Sequence, residues 1–150
     1  MDELRRKGLE KMNEVYGWEM PDMPGDYFAL TADHLFGTIW NRPGLSMRDK
    51  RIMTLTVVTA LGISDLAEIQ ANAALANDEL TVEELKEMAI FLTHYLGFPL
   101  GSKLNGVVSN VARKRKKAAE KGSGKDIPED KRANVNAAVR MHSGGKVHDE

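Results

Sequence analysis

Ten residues near the middle of the chain, IMTLTVVTAL (52–61), constrain the fold more than any others. Ile52, Met53, Leu55, Val57, Val58, Ala60 and Leu61 spread over nearly every side of a helix at 100° per residue. A helix that is apolar all round must lie inside something. Gly62 ends it. Leu66, Ala67, Ile69, Ala71, Ala73, Ala74, Leu75 and Ala76 then make a second apolar helix, after a turn that leaves room only for an antiparallel return. A chain of 150 residues is long enough for one domain with a proper core. It has little left over to cover such a pair on every side, so the pattern also predicts a neighbouring subunit.

The other periodic segments are helical as well, and none shows the sustained alternation of a strand. The first helix runs from about Asp2 to Tyr16 and stops at Gly17, with Leu4, Met12, Val15 and Tyr16 as its apolar contacts. After a stiff linker, EMPDMPG, Asp26 caps a second helix that continues to about Trp40, where NRPGL breaks the chain. Ser46 with Asp49 resembles a capping box for the third helix. Ser64 or Asp65 opens the fourth, which ends at Asn77 and Asp78, residue types that tolerate left-handed backbone. Thr81 and Glu84 form a capping box for the fifth, which Gly97 stops before Pro99. The sixth runs from about Ser102 to Lys121, and Pro128 opens a last helix to about Met141. The chain thus reads as all-α, a bundle of about six to seven helices. Residues 1–112 make the helical domain, and 113–150 a basic C-terminal extension with a short helix.

Composition narrows the chemistry. With no cysteine, disulfides, thiolate nucleophiles and thiol redox reactions are excluded. The four histidines are scattered without metal-ligand spacing, so neither a metal nor a cofactor is expected. No glycine-rich phosphate cradle appears. The apolar runs are too short to cross a bilayer, and MDELRRKGLEK lacks the apolar stretch of a secretory signal, so the expected location is the cytoplasm. A net charge of −1 gives no overall pull toward nucleic acid or membrane. The exception is local. RKRKK (113–117) reads either as a solvated helix end that complements the helix dipole or as a contact for nucleic acid, an acidic partner or another subunit. Nucleic acid is not expected on a charge run alone.

Two stretches, GTIWNRPGLSMRDKRIMTLTVVTALG and ELTVEELKEMAIFLTHYLGFP, resemble the carboxymuconolactone decarboxylase family. The shared pattern is a tryptophan followed by RPGL, a helix bearing R-x-x-R, then ALG, an E-L-x-x-H segment, T-x-E-E and Y-x-G-x-P. It covers about residues 5 to 110. The resemblance implies an AhpD-like helical bundle that oligomerises through helix pairs, as a trimer or hexamer, with pockets near the subunit contacts. It implies cofactor-free decarboxylation of a small carboxylate or lactone. The chain departs from the family pattern in three places. Asn72 stands where E-L-x-x-H has its histidine, and an asparagine carries no proton near neutral pH. The C-x-x-C of the family's peroxidase branch is missing, which excludes that activity. Leu92 stands where decarboxylase members often have a cysteine.

The fourth helix places Glu68, Asn72 and Asp65 within about 60° of one another. Arg51 shares its face with Leu55 and Val58, so an Arg51–Glu68 pair is expected. Such a pair is either a structural ion pair or a site, with Arg51 holding a carboxylate and Glu68 reprotonating the carbon that loses CO2. His34, on a polar stripe with Tyr27, Thr31 and Thr38, is the other candidate proton carrier. Arg48, Asn72, Tyr95 and Trp40 join Arg51 as candidate substrate-binding residues. Arg48 also reads as a solvent residue, and Trp40 and Tyr95 also read as core. Arg42 reads as structural, His94 as surface, and His142 and His148 as solvated. Two functions follow: an enzyme of the family's decarboxylase kind, or a family member that has lost the chemistry and serves as an oligomeric binding or scaffold protein, which Asn72 favours.

Overall fold

The computed structural model describes residues 1–122, and every regular element among them is helical. The helix expected from Pro128 to Met141, and His142 and His148, lie outside the described residues. The described chain divides into two compact units, Met1–Gly44 and the residues from Leu45 onward. No described helix is long and apolar enough to cross a membrane.

In the first unit, α1 (Glu3–Tyr16) ends at Gly17, whose φ of 85° closes the helix in the left-handed region where glycine carries no steric penalty. α2 (Asp26–Ala29) is a single α-helical turn, and the chain continues as a π-helix over Leu30–Ile39. This departs from the expected α-helix to Trp40. The wider winding is matched by side-chain donors: Thr38 Oγ1 donates to the Asp33 carbonyl, and Asn41 Nδ2 to the Phe36 and Gly37 carbonyls. Asp26 is the first helical residue rather than the cap, a position Gly25 takes; its carboxylate still suits the positive end of the helix. α1 and the π-helix touch backbone to backbone at Gly8, where a Cβ would fall 1.9 Å from the Ala32 carbonyl oxygen. Tyr16 stacks on Trp18 and meets Phe36, which stacks in turn on Trp40. Arg5 pairs with Asp22 at 2.6 Å and with Asp33, and lies over the Phe28 ring. The guanidinium holds the Asp33 carboxyl below its usual range.

The second unit holds α3 (Met47–Ala60), α4 (Ser64–Ala76), α5 (Val82–Leu96) and α6 (Phe98–Glu120). Short turns join α3 to α4 and α5 to α6, so each pair returns antiparallel. Ser46 caps α3 through the Asp49 N–H, and Thr81 and Glu84 form the expected capping box on α5. The start of α4 differs: Ile63 occupies the cap position, without a side-chain bond, and Ser64 is already helical. Asp78 takes the expected left-handed conformation, with φ of 54°. α6 starts four residues before the expected Ser102, because proline needs no N–H partner in a first turn and Pro99 therefore does not delay the helix. It runs unbroken through position 113.

The core of this unit gathers Leu55, Ala71, Leu85, Leu104 and Val108 from all four helices. Alanines 67, 71 and 74 keep α4 thin enough to pack against both α3 and α6. At Gly101, α6 comes so close to α5 that a Cβ would fall 1.9 Å from Thr93 Oγ1. The all-round apolar character of α3 is divided. Leu55 is fully buried, while Met53, Val57 and Leu61 are 48%, 56% and 67% exposed.

Candidate active site

α4 presents Glu68 and Asn72 one turn apart, and α6 packs on that helix. Near its end α6 carries Lys114 and Arg115, and both reach back to α4. Lys114 Nζ donates to Glu68 Oε1 at 3.0 Å, and Arg115 Nη1 to Asn72 Oδ1 at 3.4 Å. The Glu68 side chain is 13% exposed and that of Lys114 40%, so the pair joins a mostly covered side chain to a partly exposed one. Such a cluster offers a charged pair beside a carboxamide and a guanidinium, groups that can orient a carboxylate and move a proton.

Arg51 departs from its expected pairing. It is fully buried, and its ion partner is Glu79, with Nε–Oε2 at 2.6 Å and Nη2–Oε1 at 3.2 Å. Nη1 donates to Gln70. Glu68 is ion-paired to Lys114 instead. The reason is position along the hairpin: Arg51 lies near the start of α3, level with the far end of α4, whereas Glu68 lies near the start of α4.

The remaining candidates are dispersed. Arg48 bonds Glu84, which also accepts from the Thr81 N–H; the guanidinium and this cap hold the Glu84 carboxyl below its usual range. Arg48 borders an open groove of about 620 Å³ beside α5, floored by Ile52, Met88 and Leu92 and edged by Glu83, Glu87 and Phe91. Its acidic rim opposes a carboxylate. Tyr95, expected as core or as a substrate-binding residue, is 76% exposed and its ring meets that of Phe91 at a tilt; in sequence it falls between Leu92 and Leu96, which pack on the core. Trp40 is buried against Phe36 in the first unit. His34 is exposed there, and the hydroxyls of its stripe bond the backbone, Thr31 to Tyr27 and Thr38 to Asp33. Arg42 and His94 are exposed. Among the described residues no cluster of three or more His, Cys, Asp or Glu forms that could hold a metal.

Sequence reasoning took Lys114 and Arg115 as part of the basic run 113–117, not as partners of Glu68 and Asn72. A signal was present: Leu104, Val108, Val111 and Arg115 follow at spacings of four, three and four, so the inward stripe of α6 runs straight into the basic stretch.

The model of the carboxymuconolactone decarboxylase family matches residues 25–107 of this chain. The chain belongs to that family. It is 32% identical over 107 residues to 4-carboxymuconolactone decarboxylase of Acinetobacter baylyi, an alignment that covers 65% of this chain and 79% of that protein. Glu68 and Asn72 fall inside the family match, while Lys114 and Arg115 lie beyond its last residue.

Proposed function

We propose that this family member is a decarboxylase acting without cofactor on a small carboxylated lactone or a related carboxylate. The observation that carries this is the Glu68–Lys114 pair on a family-matched helix, beside Asn72 and Arg115. Decarboxylation requires a cationic donor for the substrate's acid, a poorly solvated place for the charge that develops, and a proton for the carbon left behind. Lys114 and Arg115 offer the donors, and the covered Glu68 carboxylate marks the less solvated end. Arg51 is left as a structural residue, because Glu79 and Gln70 engage it in the core. The 4-carboxymuconolactone decarboxylase relative makes a carboxylated lactone the first compound to test. We also propose that the chain works as a trimer or hexamer, with the exposed apolar side of α3 as one contact.

The test is CO2 release from 4-carboxymuconolactone and a panel of small unsaturated carboxylates. Wild type is expected to turn over at least one of them, Glu68→Gln to lose more than about 100-fold in kcat/KM, and Glu87→Gln, in the acidic groove, to match wild type. A second reading rests on Asn72, which supplies no proton: a binding protein without turnover. It would appear as carboxylates that raise the melting temperature while no CO2 is released.

A further inference from the structure

We infer that the proton donor of this site is Lys114, with Glu68 as the carboxylate that positions it; the inference rests on the decarboxylase proposed above.

Two polar pairs, Lys114 with Glu68 and Arg115 with Asn72, bridge α6 and α4 one helical turn apart on α4. Asn72 has no proton to give, and Arg115 keeps its own at any working pH. Glu68 and Lys114 are hydrogen-bonded at 3.0 Å. Lys114 Nζ is the donor of that bond and Glu68 Oε1 its acceptor. Glu68 therefore faces the site as an acceptor. Lys114 alone both carries a proton and can release it. Its exposure fits the role, since the Lys114 side chain is 40% exposed while the Glu68 side chain it bonds is 13% exposed. The charged residues nearest it on its own helix are Arg113, Arg115 and Lys117, and the packed helix α4 also carries Asp65, one turn before Glu68. α3 and α5 meet α6 through apolar core residues such as Leu55, Leu85 and Val111.

The step balances without a further reactant. The bond between carbon and the departing carboxylate breaks and CO2 leaves. Its electron pair stays on the substrate carbon, delocalised into the lactone. A Lys114 N–H bond then breaks as the C–H bond forms, leaving a neutral amine beside Glu68. Water returns the proton to the amine, so each turnover takes up one proton from solvent. Before that transfer, the ammonium also faces the developing negative charge, where a fixed cation contributes most.

The decisive experiment compares wild type with Lys114→Arg, Lys114→Met and Lys114→Met combined with Asn72→His. A guanidinium keeps the charge and the bond to Glu68 but does not release a proton near neutral pH. Lys114→Arg should therefore hold KM within about threefold and lose about 100-fold or more in kcat. Lys114→Met should lose both binding and turnover. Asn72→His, which puts an imidazole one turn from Glu68, should restore at least tenfold of the turnover that Lys114→Met lacks. Melting temperatures confirm that each variant is folded. A Lys114→Arg variant with wild-type kcat overturns the inference and leaves the decarboxylase standing. Loss of KM alone in that variant also overturns it, since Lys114 would then only bind. A wild type that releases no CO2 from any compound removes the reaction and the inference together.

Discussion

Arg51 and Glu79 form a two-pronged ion pair inside the second unit, with the guanidinium fully covered and the carboxylate 7% exposed. The arginine stands near the start of α3 and the glutamate just past α4, so the pair fastens the open end of a hairpin whose other end is the turn at Gly62. Gln70 engages the guanidinium from within α4.

Breaking this pair from one side strands a buried cation. Glu79→Gln should lower unfolding free energy by about 3–5 kcal/mol, read as a fall in denaturant midpoint. Replacing all three groups, Arg51→Met with Gln70→Leu and Glu79→Leu, should return more than half of that loss, because packed apolar side chains can substitute for a buried pair. A Glu79→Gln protein as stable as wild type would show that the pair holds nothing.

Three glycine-to-alanine changes should differ in sign. At Gly8 the new Cβ would meet the Ala32 carbonyl oxygen at 1.9 Å, and at Gly101 the Thr93 Cα at 2.8 Å. Backbone cannot step aside as a flexible side chain does, so each should destabilise by about 2 kcal/mol or more. Gly106, inside α6 with nothing within 4 Å, should instead gain about 0.5–1 kcal/mol as alanine, through helix propensity. Thermal unfolding of the three variants checks both signs.

Burial among aromatic rings pushes the Tyr16 hydroxyl from 10.0 up to about 12. A group whose folded value is raised gives stability that is complete below its unfolded value and declines as pH rises through the folded one. Between pH 10 and 12, then, the unfolded chain ionises Tyr16 while the fold resists it. Stability should fall across that window, and Tyr16→Phe should flatten the fall. Unchanged alkaline curves would place the effect elsewhere.

The outward side of α3 predicts assembly. Met53, Val57 and Leu61 are about half exposed or more, a larger apolar stripe than a solitary helix face usually leaves open. Light scattering should give three or six times the chain mass of 16.6 kDa, and Val57→Lys should reduce it. A wild type that stays at 16.6 kDa at micromolar concentration would count against the stripe as an interface.

Much of the fold was legible because it depends on local punctuation: Gly17 and Gly97 as stops, Ser46 and Thr81 as caps, and the 3.6-residue period between them. The π-helix was not, because the same apolar spacing suits α or π winding until the contact at Gly8 and the donors Thr38 and Asn41 select one. At the site, Glu68 and Asn72 could be read from their shared helix face, but their partners depend on register. About eleven residues separate Arg51 from Gly62, so its counterpart across the hairpin lies near Ala73, and Glu68 falls short of it by about 7.5 Å of helix rise. Lys114 was hidden for a different reason: a cation in a basic run looks solvated unless the stripe leading into it is followed onward.

The unbroken course of α6 bears on how the protein is cut for experiments. A fragment ending with the family match at residue 107 would sever this helix in mid-course, about halfway between Phe98 and Glu120. It would discard Val108 and Val111, both buried in the core, along with the two basic residues that reach α4. Such a fragment would retain the residues that identify its ancestry while lacking side chains that close its core and its candidate site, and an inactive preparation of it would say nothing about the parent chain.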